Sequence, residues 1–149
     1  MEDDAVGQNG MASGARSVEL IVAAAPENLA VLRTLVAAVA AFEDFDLDAV
    51  ADIRLAVDEA CTGVIRAAIP GSSLRVVVDA SNDAVVIRAS APCTVVDGVD
   101  TTVVKRDSFS WHVLSSLTDE VTTFTDGQVI DGTQVLGVSL TSRRVSLQR

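Results

Sequence analysis

Residues 47–69 read LDAVADIRLAVDEACTGVIRAAI, and this stretch decides the fold. Apolar residues recur at Val50, Ile53, Ala56, Val57, Ala60, Val64 and Ala68, the three- and four-residue steps of an amphipathic helix. The breaker pair Pro70-Gly71 ends it. Glu59 and Gly63 are four apart and share one face. A carboxylate there can point into a cleft beside the core, where partial desolvation and a nearby phosphate would suit it to orient a hydroxyl or water as a general base. The same glutamate can equally be a solvated surface residue, which is the commoner fate of a carboxylate.

Working outward, Ser17–Ala24 is a strand candidate, and Pro26-Glu27 opens a helix through Phe42 with Leu29, Leu32, Leu35, Val36 and Val39 as its apolar stripe. The acidic loop EDFDLD leads into the Glu59 helix. Beyond Pro70-Gly71, two β-branched runs, Leu74–Asp79 and Ala84–Ala89, joined by SND, read as a hairpin. From Ser90 to Asp107 the chain is polar, Asp-rich and aperiodic, the signature of a long loop. A short helix, Ser108–Leu117, follows. Glu120–Thr125 and Gln134–Leu140 are the closing strands, separated by the turn-like DGQVIDGT. Five strands and three helices predict an α+β fold: a two-layer sandwich with helices on one face of a mixed, mainly antiparallel sheet. Residues 1–16, rich in Gly, Ser, Asp and Asn, are expected to be a disordered tail, 17–142 a single domain and 143–149 a C-terminal tail.

Composition narrows the function. At 149 residues the chain can bury one ordinary core. Aromatics are only 3%, so that core must be aliphatic, with Phe42, Phe45, Phe109, Phe124 and Trp111 as its few large members. Eleven basic against twenty-one acidic residues give a formal charge of −10, which opposes direct binding to nucleic acid. No apolar run reaches the roughly 18 residues needed to span a bilayer, and no leader-like N-terminus is present, so a cytoplasmic, membrane-free protein is expected. Cys61 and Cys93 lack metal-site spacing and suit reduced thiols, with a regulatory disulfide as the alternative. His112, the only histidine, has no partner for a metal site, and no metal ligand set is expected. Asp58 and Glu59, neighbours on a helix, point about 100° apart and are not expected to share a proton.

VDEACTGVIRAA resembles the first nucleotide-binding box of the GHKL ATPase superfamily, in the form carried by bacterial anti-sigma factor serine kinases of the RsbW and SpoIIAB type. In that family the helix reads approximately E-A-x-T-N, the Glu polarising the attacking group and the Asn holding Mg²⁺. Glu59, Ala60 and Thr62 match, and Gly63 stands where the family has its Asn. LRTLVAAVAAF is similar to the family's first helix, with Arg33 at the position of an arginine that contacts partner proteins. DSFSWHVLSSLTDEV is similar to the segment that covers the triphosphate, ending in the matching Asp119, Glu120 and Val121. The resemblance runs over roughly Ser17–Ser142.

Two departures accompany these matches. The family's second box, D-x-G-x-G, reads the adenine; here the equivalent stretch is Ser90-Ala91-Pro92-Cys93, with Asp97-Gly98 either a displaced remnant or an ordinary turn. Ser108 and Ser110 replace two lid glycines whose bare backbone would approach the phosphates.

The resemblance implies an anti-sigma factor that sequesters an alternative sigma factor, is released by an anti-anti-sigma protein of the STAS type, and forms a homodimer. Glu59 is then the candidate base, Thr62, Gly63, Ser108 and Ser110 the degenerate cofactor-binding positions for Mg-ATP, which is expected to bind weakly, and Arg33 the partner contact. Two other readings stand beside it: a serine/threonine kinase acting on the antagonist, and a nucleotide-independent sensor module.

Overall fold

The computed structural model describes residues 16–145. Of the two expected tails, the N-terminal one lies outside the described residues except for Arg16, and the C-terminal one is described only as far as Val145. The order of elements is β1 (Arg16–Ala23), a 3-10 turn (Pro26–Asn28), α1 (Leu29–Phe42), α2 (Leu47–Ala67), β2 (Ser73–Ala80), β3 (Ala84–Thr94), α3 (Phe109–Leu117), β4 (Glu120–Ile130) and β5 (Thr133–Arg143). The five strands form one sheet in the order β1-β2-β3-β5-β4. Every pairing is antiparallel, so the parallel component that a mixed sheet would carry is not used.

Alternation sets the two faces of the sheet. One row across the strands is Val18, Val78, Ile87, Leu140 and Val121. The next is Leu20, Val76, Ala89, Val138 and Thr123. These rows meet the buried stripe of α1 (Leu32, Val36, Ala40) and of α2 (Ile53, Ala56, Val57, Ala60, Cys61, Val64), with Leu114 of α3 closing the far end. The opposite sheet face carries polar and charged residues, among them the Glu19–Arg75 ion pair.

Local chemistry fixes the element ends. Asp46 caps α2 by accepting a hydrogen bond from the Ala49 amide at 2.8 Å. Ala68 then turns extended, one residue ahead of Ile69, which Pro70 itself keeps out of the helical region. Ser108 caps α3 in the same way, accepting from the Trp111 amide at 3.1 Å.

Three expectations are corrected. The loop assigned to Ser90–Asp107 begins only after Thr94, because β3 continues against β5 through Ser90-Ala91-Pro92-Cys93. Pro92 is tolerated there because its carbonyl, and so also its missing N–H, faces away from β5, where β2 has ended and the Ile69 amide donates to the Pro92 oxygen at 2.9 Å. Cys93 is therefore a buried strand residue and not part of a loop. The segment DGQVIDGT is mostly strand: β4 runs to Ile130 with a bulge after Asp126, and only Asp131-Gly132, both at positive φ, make the turn. Finally, no aromatic residue is a core member. Phe42 and Phe109 are 82% and 83% exposed, and Phe45 and Trp111 only flank a core that is wholly aliphatic.

Candidate functional site

One turn of α2 brings the matched box together. Glu59, Thr62, Gly63 and Arg66, at helical spacing, line an open cleft of about 360 Å³. Its other wall is the strap between β3 and α3, through Val103, Val104 and Lys105, and its end is formed by Ser108 and Ser110 at the start of α3. All five residues expected there from sequence, Glu59, Thr62, Gly63, Ser108 and Ser110, share this one cleft. Arg66 and Lys105 were not singled out in sequence, although Arg66 falls seven residues after Glu59 and three after Gly63, on the same helix face, and was legible from that spacing. They place two cations in the cleft that holds the Glu59 carboxylate.

Several of these groups are already engaged. The Thr62 hydroxyl donates to the Asp58 carbonyl one turn back, at 2.7 Å. Ser108 spends an oxygen lone pair on the helix cap. Val104 is buried in the core cluster, which pins the strap against α2. A Cβ built on Gly63 would lie 3.5 Å from the Val103 carbonyl oxygen and 3.8 Å from Val104 Cγ2. Position 63 thus supplies no oxygen ligand, and its space borders on the chain's own strap.

The family's nucleotide fits this donor set poorly. Mg²⁺ needs several oxygen ligands near octahedral positions, and α2 offers only Glu59 and an already bonded Thr62. Ser90, Ala91 and Cys93, where an adenine-reading aspartate would stand, are small and buried inside β3. Among the described residues no three His, Cys, Asp or Glu side chains cluster as a metal site would require.

Arg33 is on α1 and is not among the cleft's lining residues. Its Nη1 donates to Asp58 Oδ1 at 2.6 Å, and both side chains are half-buried. Asp58, which sequence excluded only as a proton-sharing partner of Glu59, is in fact the partner of Arg33. A contact between two helices 25 residues apart leaves no local signal. His112 is exposed, next to a Trp111 ring that lies 5.2 Å from Arg106 Cζ. Cys61 is buried, and loss of solvation, with Asp58 adding to it, pushes its thiol up to about 12. Both cysteines are free thiols.

Residues 22–135 match the family model of the histidine kinase-like ATPase domain. Over its whole length the chain is 53% identical, across 150 aligned positions, to the protein named Anti-sigma-F factor RsbW in two strains of Mycobacterium tuberculosis, CDC 1551 / Oshkosh and ATCC 25618 / H37Rv, and it spans 86% of each. The chain belongs to the RsbW family. This RsbW-family member keeps the scaffold of the ATPase domain, with Gly63 on the first box and strand residues at the second. No helix among its described residues is long and apolar enough to cross a membrane.

Proposed function

We propose that the chain is an anti-sigma factor, a cytoplasmic protein that binds and sequesters an alternative sigma factor of RNA polymerase and releases it when a STAS-type anti-anti-sigma protein competes for an overlapping surface. The observation that carries this reading is full-length identity of 53% to a protein named for antagonism of sigma-F. The geometry supports it from two directions. Arg33 is the only charged residue of α1, whose exposed positions Ala30, Val31, Thr34 and Ala38 carry no charge, so α1 offers one cation and no carboxylate. The formal charge of −10 directs binding toward protein partners and away from nucleic acid.

Sequestration by mutually exclusive binding needs no chemistry at Glu59. A competitor that binds the same surface shifts the sigma factor off in proportion to its differential affinity. We also propose that the protein works as a homodimer. The kinase reading is favoured by one observation, the carboxylate of Glu59 lining a cleft with Arg66 and Lys105.

The test is calorimetric titration of the purified chain with sigma-F, repeated after addition of a STAS-domain antagonist, with sedimentation measuring the oligomeric state. Stoichiometric binding that the antagonist abolishes is expected. Absence of binding to sigma factors would overturn the reading, and transfer of labelled phosphate from ATP to the antagonist would favour the kinase.

A further inference from the structure

The Arg33–Asp58 pair is short and joins α1 to α2, yet both side chains are about a third exposed, at 35% and 37%. An ion pair in that setting contributes little to folding stability. Its consequence lies in orientation. An arginine on a helix surface samples many rotamers and loses that freedom on binding. Here one nitrogen, Nη1, is held by Asp58 Oδ1, and among the described residues the Nε and Nη2 groups donate to nothing. That free edge is the one with which a guanidinium grips a carboxylate through two parallel hydrogen bonds. On its own side of α1 Arg33 has Ala30 and Ala37, three and four residues away, while the groove of Val31, Thr34, Leu35 and Ala38 lies farther round the helix, and α1 carries no carboxylate of its own. In a chain of charge −10, α1 itself sets no carboxylate in the path of an acidic segment, and the Asp58 carboxylate beside Arg33 is already paired with it.

We infer that Asp58 is a positioning residue of the partner-binding face: by holding Nη1 it fixes the Arg33 guanidinium so that the Nε–Nη2 edge receives a carboxylate of the bound protein. This rests on the reading that α1 is the partner face. Asp58 also ties that face to the cleft, since its carbonyl accepts the Thr62 hydroxyl and Glu59 is the next residue.

The experiment is calorimetric titration of Mycobacterium tuberculosis sigma-F into the wild-type chain, Arg33→Ala, Asp58→Ala, Asp58→Asn and the Arg33→Ala/Asp58→Ala double variant, with thermal melting of each. Asp58→Ala is expected to weaken binding about 5- to 10-fold, and Asp58→Asn less, because its amide oxygen still accepts. The double variant should bind no more weakly than Arg33→Ala, at melting temperatures unchanged within a few degrees. Losses that multiply in the double variant, or an Asp58→Ala affinity equal to or tighter than wild type while Arg33→Ala is impaired, overturn the positioning role alone. An unimpaired Arg33→Ala overturns both that role and the assignment of α1 as the partner face.

Discussion

The Phe124 ring lies over Gly137, its cross-strand neighbour on the outer face of the sheet, so closely that a Cβ at 137 would stand 2.4 Å from Cζ and 2.7 Å from Cε2. The Ala89 carbonyl oxygen, across β3, would be 2.7 Å away on the same side. Gly137→Ala is therefore expected to destabilise the domain by about 2 to 3 kcal/mol, the cost of overpacking. Urea unfolding measures it. Because the Ala89 carbonyl cannot rotate aside as a ring can, Gly137→Ala should remain destabilising in a Phe124→Ala background. Full rescue there would show that the ring alone excludes the methyl group.

Mg-ATP should bind with a Kd above about 100 μM, or less than about 5.5 kcal/mol, since position 63 lacks an oxygen ligand and the second box is strand. In parallel, Glu59→Ala should leave sigma-F affinity within about 1 kcal/mol of wild type, because a cleft carboxylate away from the binding face adds little to association. Low-micromolar, Mg-dependent binding, with phosphate transfer lost in Glu59→Ala, would reassign the cleft to catalysis.

The Cys61 thiol should resist alkylation in the native state, because burial holds it protonated, and Cys93 is shifted in the same direction for the same reason. Both should react once the chain is unfolded. A folded thiol raised from 9.0 to about 12 contributes stability below pH 9, where it is protonated in both states. Above pH 9 the unfolded chain loses the proton first, so stability should fall from pH 9 toward 12. Cys61→Ala should flatten that alkaline slope in denaturant melts taken across the range.

Arg144 donates to the Glu43 backbone carbonyl and, at 2.8 Å, to its carboxylate, reaches the Ser81 carbonyl at 3.0 Å, and lies 5.1 Å over the Phe45 ring. Glu43 is 8% exposed and also takes Arg16 at 3.0 Å. Removing one cation leaves a buried carboxylate half-paired, so Arg144→Ala is expected to cost about 3 kcal/mol. Lysine cannot reach the four partners of a planar fork, and Arg144→Lys should recover less than half of that loss. Equilibrium unfolding of the two variants, compared with wild type, decides it.

The helices were legible because α1 and α2 carry long, clean apolar stripes, and the five residues of the cleft because VDEACTGVIRAA and DSFSWHVLSSLTDEV resemble the family's nucleotide-binding box and lid segment. Misread were features whose signal is tertiary. Ser90–Cys93 looks like loop, being small, polar and proline-bearing, yet it pairs with β5 because Pro92 points its vacant side away from that strand. Phe42 and Phe109 read as core on size alone, yet they stand exposed as the last residue of α1 and the first of α3. Asp58 and Glu43 could not be assigned at all, since their partners lie 25 and 101 residues away.

Arg16 opens the first strand and Arg144 follows the last, yet both grip the carboxylate of Glu43. The two ends of the described chain are thus fastened at one point, and the domain is topologically close to a ring with a single seam. During synthesis the Arg16 end of the first strand gains its second clamp only after Arg144 has been made. The same geometry makes a circular permutant practicable: a short linker across the seam, with new termini opened at the exposed Ser81-Asn82-Asp83 turn, should retain the core.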